Sequence, residues 1–290
     1  MKIRIVKQIC RMKQALPGKD FNLKALNKWN HSHKLRLMAI LKNKKISKAE
    51  KLIHLEEALA SSSRFSKEFK CLFAYYWHWY CVHWKRLSSV LLLMLILLFA
   101  FMIPSEKDYA LSLNKVLEAD SNNPPSELIR FLSWTTEYAF HLLAFITLWG
   151  LAKLGKSRLL RLASISVLVT LIFSTLAIRT SKVAFGRLRP ATAIKMECTD
   201  TFEPFNLKHK YHSFPSGHTS SAFSTTGSFF ALHPYLGVPF VAYACTVGYA
   251  RVNLKQHYPS DTIAGATVGV LASLPFIAFC RRYKKHQPST

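Results

Sequence analysis

Uncharged apolar stretches of helical length recur along this chain, separated by charged segments. A helix that crosses a bilayer needs about 20 mostly apolar residues, with a range of roughly 17–25. Residues 87–103 reach that length without a charge and stop at Pro104. Residues 131–152 reach it with Glu137 and His141 as exceptions. Residues 162–178 follow, with Arg161 placed to snorkel at their start. Residues 219–232 and 235–250 are shorter and are separated by the turn pair His233–Pro234. Residues 262–280 again carry no charge. The pattern predicts an all-α fold, a bundle of six transmembrane helices.

The region before the first span is polar but periodic. Leu23, Leu26, Leu35, Met38, Leu41, Leu52, Leu55 and Leu59 recur at roughly helical spacing. Ser47-Lys48-Ala49-Glu50 reads as a capping box that opens a helix through Ala60. Ser61-Ser62-Ser63 closes it. Tyr75, Tyr76, Trp77, Trp79, Tyr80 and Trp84 form an aromatic cluster of the kind favoured at membrane interfaces. It predicts an interfacial helix leading into the first span; a small soluble hairpin with an aromatic core is the alternative. The chain thus divides into a basic, partly helical extension at 1–86, a membrane domain at 87–281 and a basic tail at 282–290.

Charge fixes the orientation. Half of the residues are hydrophobic, yet the formal net charge is +25. Residues 1–87 hold 20 of the 40 Lys and Arg against five acids. A basic block of this kind would suit nucleic acid, but the apolar runs that follow favour cytoplasmic retention, with attraction to anionic membrane lipid. Lys153, Lys156, Arg158 and Arg161, and then Arg281, Arg282, Lys284 and Lys285, fall on the same side. Residues 105–130 carry five acids against three bases and suit the far side. Residues 179–218 and 251–261 lie on that far side too. Of the six cysteines only Cys198 falls in an external loop, and no CxxC pair or zinc spacing occurs, so neither a disulfide framework nor a metal site is expected. Charges throughout residues 1–30 leave no secretory signal, so the first apolar run would act as an uncleaved anchor.

Those external segments carry the chemistry. Lys182, Arg187, Arg189 and Pro190 lie in the first, Pro215-Ser216-Gly217-His218 in the second, and Arg251, His257 and Asp261 in the third. A phosphate ester spreads charge over three equatorial oxygens as it reacts, so it needs fixed cations and N–H donors. Lys182, Arg189 and Arg251 supply cations; Ser216 and Gly217 supply amides at a helix start, which favours anions. Asp261 follows His257 by four residues, one face of a helix. Its carboxylate can hold one imidazole nitrogen protonated and free the other to attack phosphorus. His218 is then placed to protonate the leaving oxygen. Singly, these residues read as juxtamembrane charges or a helix start; jointly, on one membrane face, they do not.

The three segments resemble the signature of the type 2 phosphatidic acid phosphatase superfamily: K-x6-R-P, P-S-G-H and S-R-x5-H-x3-D. The resemblance covers roughly residues 88–280. It implies a six-helix membrane bundle, dephosphorylation of a lipid phosphate or diphosphate without a metal or other cofactor, and a phosphohistidine intermediate. By position it implies that Lys182, Arg189 and Arg251 bind phosphate with Ser216 and Gly217. His218 would be the acid and later the base, His257 the nucleophile and Asp261 its partner. Ala250 stands where the family usually has Ser, which removes one hydroxyl. The setting implies a bacterial inner membrane with both termini cytoplasmic and a periplasmic site. Phosphotransfer to a second lipid would use the same residues, and a non-enzymatic lipid-binding role is the alternative from another class. Glu137 is a candidate substrate contact or a structural partner of Arg179 or Arg187, with His141 one turn further in. His209 and His212 read as loop residues, and Tyr258 and Pro259 as shapers of the turn before the last helix.

Overall fold

The structure, a computed structural model, describes residues 40–41, 43, 46–61, 65–106, 126–135, 138–198 and 201–285. The chain divides into two compact units, Met1–His54 and Leu55–Thr290. Ser47, in the first, opens helix α1 (Lys48–Ser61) as expected, and the helix runs on into the second unit. Its N–H donates to Glu50 Oε2 and its hydroxyl accepts the Glu50 N–H, both at 3.2 Å. That reciprocal pair is the capping box. The repeat at Leu23, Leu26, Leu35 and Met38 lies outside the described residues.

Among the described residues of the second unit the regular elements are helices, joined by loops and one β-bridge between Arg187 and Phe202. Helix α2 (Phe65–Leu97) continues through a π turn at Leu98–Met102 into a last turn at Ile103–Ser105. Pro104 has no N–H for the regular ladder, and the chain loosens to the wider turn just before it. Then come α3 (Glu127–Trp134), α4 (Tyr138–Leu154), α5 (Arg158–Phe185) and the short α6 (Pro190–Lys195). Helices α7 (Gly217–Leu232), α8 (Pro234–Asn253) and α9 (Pro259–Lys285) complete it.

Two expectations meet a physical limit. The aromatic cluster is not a separate interfacial element. It lies within the continuous α2, with Tyr75, Tyr76 and Trp79 buried against the bundle and Trp77 and Trp84 exposed. The run at 131–152 is interrupted, because α3 ends in a turn at Thr135. The Thr135 hydroxyl lies 2.7 Å from that of Tyr243 in α8, tying the turn to that helix. Three helices are long and apolar enough to cross a membrane: Phe65–Ser105, Arg158–Phe185 and Pro259–Tyr283. His141–Leu154 is apolar but shorter.

Helix α7 sits at the centre, packed on α5, α8 and α9. Its sequence, GHTSSAFSTTGSFFAL, is rich in small and hydroxylic residues. Small side chains let helices approach closely where lipid offers no hydrophobic drive. Gly269 of α9 shows the consequence: a Cβ there would stand 2.4 Å from the Ser220 carbonyl oxygen and 2.8 Å from Phe223 Cβ. The buried hydroxyls find partners on neighbouring helices. Ser174 and Ser220 lie 2.8 Å apart, Ser166 donates to Ser228 at 2.9 Å, and Tyr76 lies 2.9 Å from Thr170.

One end of this unit is basic and pinned by ion pairs. Arg161, at the start of α5, grips Glu68 near the start of α2 through Nε at 3.0 Å and Nη2 at 2.9 Å. Arg282, near the end of α9, pairs with Glu56 at 2.9 Å. Arg158 donates to the Leu59 carbonyl. Helix direction therefore sends the end of α2, the end of α5 and the start of α9 to the opposite face. For the α7–α9 contact we expect Gly269→Ala to destabilise the chain by about 1–3 kcal/mol. Thermal unfolding in detergent would show this, with Gly150→Ala, whose Cβ meets nothing within 4 Å, as the unaffected control. Equal melting of the two variants would contradict the close packing.

Candidate active site

Three chain segments converge at that opposite face. Helix α5 carries Lys182 in its last turn and stops at Gly186, whose N–H caps the Lys182 carbonyl at φ 59°. A side chain is excluded there, since a Cβ would lie 1.7 Å from the Glu203 carbonyl oxygen. The chain then runs extended through Arg187, Leu188 and Arg189 until Pro190 opens α6. In the second segment Ser216 caps α7 by accepting the Thr219 N–H. In the third, Arg251 lies in the last turns of α8, His257 in the connection, and Asp261 in the first turn of α9.

Backbone bonds lace the segments together. The Ser213 N–H donates to the Arg187 carbonyl at 3.0 Å, and the Ser216 N–H to the Asp261 carbonyl at 2.9 Å. The Ala191 N–H donates to the Lys255 carbonyl at 3.0 Å. All eight motif residues expected from sequence are thus held within one cluster. Lys182 lies within Coulomb range of Arg189, Arg251 and Asp261, and His218 within range of Arg251, His257, Lys182 and Arg189.

Each side chain has a definite setting. Arg189 Nη1 donates to Gln256 Oε1 at 2.7 Å, while its buried Nε has no partner among the described residues. Arg251 Nη1 donates to the Ser133 hydroxyl at 2.5 Å, which brings α3 to the site. Lys182 has no ion-pair partner among the described residues. The Ser216 amide is already committed to Asp261, so the donors left at the α7 N-terminus are the Gly217 and His218 amides. Cations gathered beside a helix N-terminus make a setting for an anion. Among the described residues no group of three His, Cys, Asp or Glu is arranged to hold a metal ion.

Residues 163–285 match the PAP2 superfamily. A Rhizobium johnstonii protein named lipid A 1-phosphatase is 40% identical over 109 residues, 36% of this chain and 43% of its own length. A Porphyromonas gingivalis protein of the same name is 27% identical over 159 residues, 49% of this chain and 32% of its own. A Bacillus licheniformis protein named bacitracin transport permease BcrC is 41% identical over 63 residues, 22% of this chain and 31% of its own. In each case the match spans less than half of the relative. The crystal structure of a transmembrane PAP2-type phosphatidylglycerolphosphate phosphatase from Bacillus subtilis shares the fold, with a TM-score of 0.52 at 19% identity. That likeness covers 69% of this chain and 98% of the other. The chain is an integral membrane protein.

The PAP2 segment holds its central histidine in an unusual state. His257 is 1% exposed, and its Nδ1 lies 3.5 Å from Asp261 Oδ2, ion-pair range rather than a formed hydrogen bond. Burial drives its pKa down to about 3; Asp261 opposes the shift, and Lys182 and Arg251 add to it. The imidazole is therefore neutral at physiological pH, with a lone pair available. Asp261 itself is held by three hydrogen bonds. Its Oδ2 accepts the Ser213 hydroxyl at 2.6 Å and the Tyr258 N–H at 2.9 Å, and its Oδ1 accepts Arg187 Nη1 at 2.7 Å.

Arg187 is the residue that sequence reasoning undervalued. It is 0% exposed, lies over the Tyr258 ring at 3.9 Å, and bridges Asp261 to Glu106. Its place inside the first motif, between Gly186 and Leu188, was the available signal. Glu106 gave only a weak one, as an acid directly after an apolar run. Glu137, the expected partner, lies outside the described residues. His141 Nδ1 instead lies 2.9 Å from the Thr225 hydroxyl. His209 reaches the site's edge, with Nε2 3.3 Å from Arg189 Nη2, whereas His212 faces the Asn206 carbonyl. Tyr258 and Pro259 shape the turn into α9 as expected.

Neutral burial of His257 has a thermodynamic signature. Between pH about 3 and the usual histidine value of 6.5, the folded chain binds fewer protons here than the unfolded chain. This stability is fully present above that usual value and is lost as pH falls through the window, roughly 1 kcal/mol by pH 5.5. His257→Gln removes the proton site. The fall in Tm from pH 7.5 to 5.5 should become shallower by about 2–4 °C; identical slopes for the two chains would contradict neutral burial.

Proposed function

We propose that this chain is a membrane phosphatase that removes a phosphate from a lipid through a phosphohistidine on His257. The observation that carries the reading is the neutral, buried His257 set among Lys182, Arg189, Arg251 and His218 at one end of a membrane bundle. A phosphate dianion bound there would meet three cations and the free amides of α7, which stabilise charge on the equatorial oxygens. His257 Nε2 attacks phosphorus while His218, protonated once the phosphate dianion is bound beside it, gives that proton to the leaving lipid oxygen. The P–O bond breaks as the N–P bond forms, and the lipid departs as an alcohol or a lower phosphate. His218 then takes a proton from water, whose oxygen attacks the phosphohistidine and releases inorganic phosphate. The positive charge comes from side chains, so no divalent metal is required.

The relatives named lipid A 1-phosphatase favour a sugar 1-phosphate on a lipid as substrate. A Bacillus subtilis relative named undecaprenyl-diphosphatase keeps a lipid diphosphate in play. Six spans complete the reading, with α4 joined to α3 as the second and α7 and α8 as the shorter fourth and fifth. The ion-paired basic end then faces the cytoplasm by the positive-inside rule, and the site faces the periplasm of a bacterial inner membrane. The basic region at 1–86 lies against anionic cytoplasmic lipid.

Purified full-length chain should release phosphate from a lipid A 1-phosphate or a polyprenyl diphosphate in the presence of EDTA. His257→Ala should abolish this, and His218→Ala should lower it by about 10²–10⁴-fold. Arg282→Ala, at the far end, should stay within twofold, roughly. Full activity in His257→Ala, or strict dependence on added metal, would overturn the mechanism.

A further inference from the structure

Glu106 lies outside the PAP2 segment, just past the last turn of α2, yet it is only 5% exposed. Its Oε1 accepts the Ser260 N–H at 2.7 Å. Its Oε2 accepts the Ser260 hydroxyl and, at 2.9 Å, Arg187 Nη2. Arg187 Nη1 in turn donates to the Ser260 hydroxyl at 2.6 Å and to Asp261 Oδ1 at 2.7 Å. The guanidinium plane is fixed from the side by Tyr258 at 3.9 Å and Phe202 at 5.3 Å. One carboxylate from a different helix thus holds both the backbone beside Asp261 and the cation bonded to it.

We propose that Glu106 and Arg187 are a positioning pair for the reaction, setting the orientation of Asp261 and the charge it presents to His257. The proposal rests on the phosphatase reading and deepens it. Arg187 alone, 2.7 Å from Asp261, would neutralise the carboxylate as His257 experiences it. Glu106 supplies a second negative charge to the same guanidinium, so the buried triad keeps a net charge of about −1. That charge matters at one stage. When phosphorus bonds to Nε2, the imidazole becomes cationic and its Nδ1–H needs an acceptor. Oδ2 of Asp261 is the oxygen on that side, and the triad turns it there. Glu106 should therefore favour the transition state over the ground state, without touching the phosphate.

This separates from a merely structural role by comparing two inorganic anions. Orthovanadate takes a five-coordinate, transition-state-like geometry when a nucleophile ligates it; inorganic phosphate does not. Binding of each to the purified full-length chain is measured by calorimetry. In Glu106→Gln, which keeps the shape and removes the charge, vanadate affinity should fall by about tenfold or more, and phosphate affinity by less than about twofold. Glu106→Asp, which restores the charge, should recover most of the vanadate affinity. If Glu106→Gln does not fold, Arg187→Lys serves: it keeps the charge, loses the fork, and should show the same selective loss. Unchanged vanadate affinity, or an equal fall for both anions, would overturn the positioning role. A parent chain that binds neither anion would instead overturn the phosphatase reading, and this proposal with it.

Discussion

A guanidinium with no exposure to solvent organises this molecule. Arg187 is charged under all conditions of interest, and a buried charge is tolerated only when paired and hydrogen-bonded. Two carboxylates and one hydroxyl meet that demand, and they arrive from two helices: Glu106 at the end of α2, and Ser260 and Asp261 at the start of α9. Arg187 itself follows α5. Meeting this one electrostatic requirement therefore fixes the relative position of three helix ends. Breaking such a buried pair from one side costs about 3–5 kcal/mol, because the remaining partner is left uncompensated.

The rest of the site inherits its geometry from that knot. Asp261 is held by Arg187, Ser213 and Tyr258, and its backbone carbonyl receives the Ser216 amide. The start of α7, with Gly217 and His218, is thereby hung on the same residue whose carboxylate faces His257. The close α7–α9 contact through Gly269 continues this registration down the bundle. Chemistry at one end and basic ion pairs at the other give the unit a polarity that suits a membrane with unlike faces. The proposed reaction uses that polarity: the anion binds where cations gather, and the nucleophile is kept neutral by burial rather than by a base.

Much of this was legible in the chain before any coordinates. The apolar runs located the helices, and His233–Pro234 marked the tight turn between α7 and α8. Motif spacing brought Lys182, Arg189, His218, Arg251, His257 and Asp261 together, because each segment follows or precedes a helix on one side. The illegible parts are those set by contacts between distant residues. Nothing local in residues 131–152 reports that α3 ends at Thr135, whose hydroxyl meets that of Tyr243. An acid at position 106 looks like an ordinary span boundary until the fold puts Arg187 beside it. The aromatic residues at 75–84 suit an interface by composition, and only packing against the bundle shows that Tyr75 and Tyr76 are core.

The account turns on covalent chemistry at one nitrogen, and that can be observed. The full-length chain is mixed with a lipid substrate carrying a radiolabelled phosphate, quenched in alkali within one turnover, and digested. A phosphoramidate bond survives alkali and is lost in acid, unlike a phosphoserine or an acyl phosphate. The account predicts an alkali-stable, acid-labile label on the peptide containing His257, absent from His257→Ala. Phosphate release with no labelled protein, or label on any other residue, would contradict it.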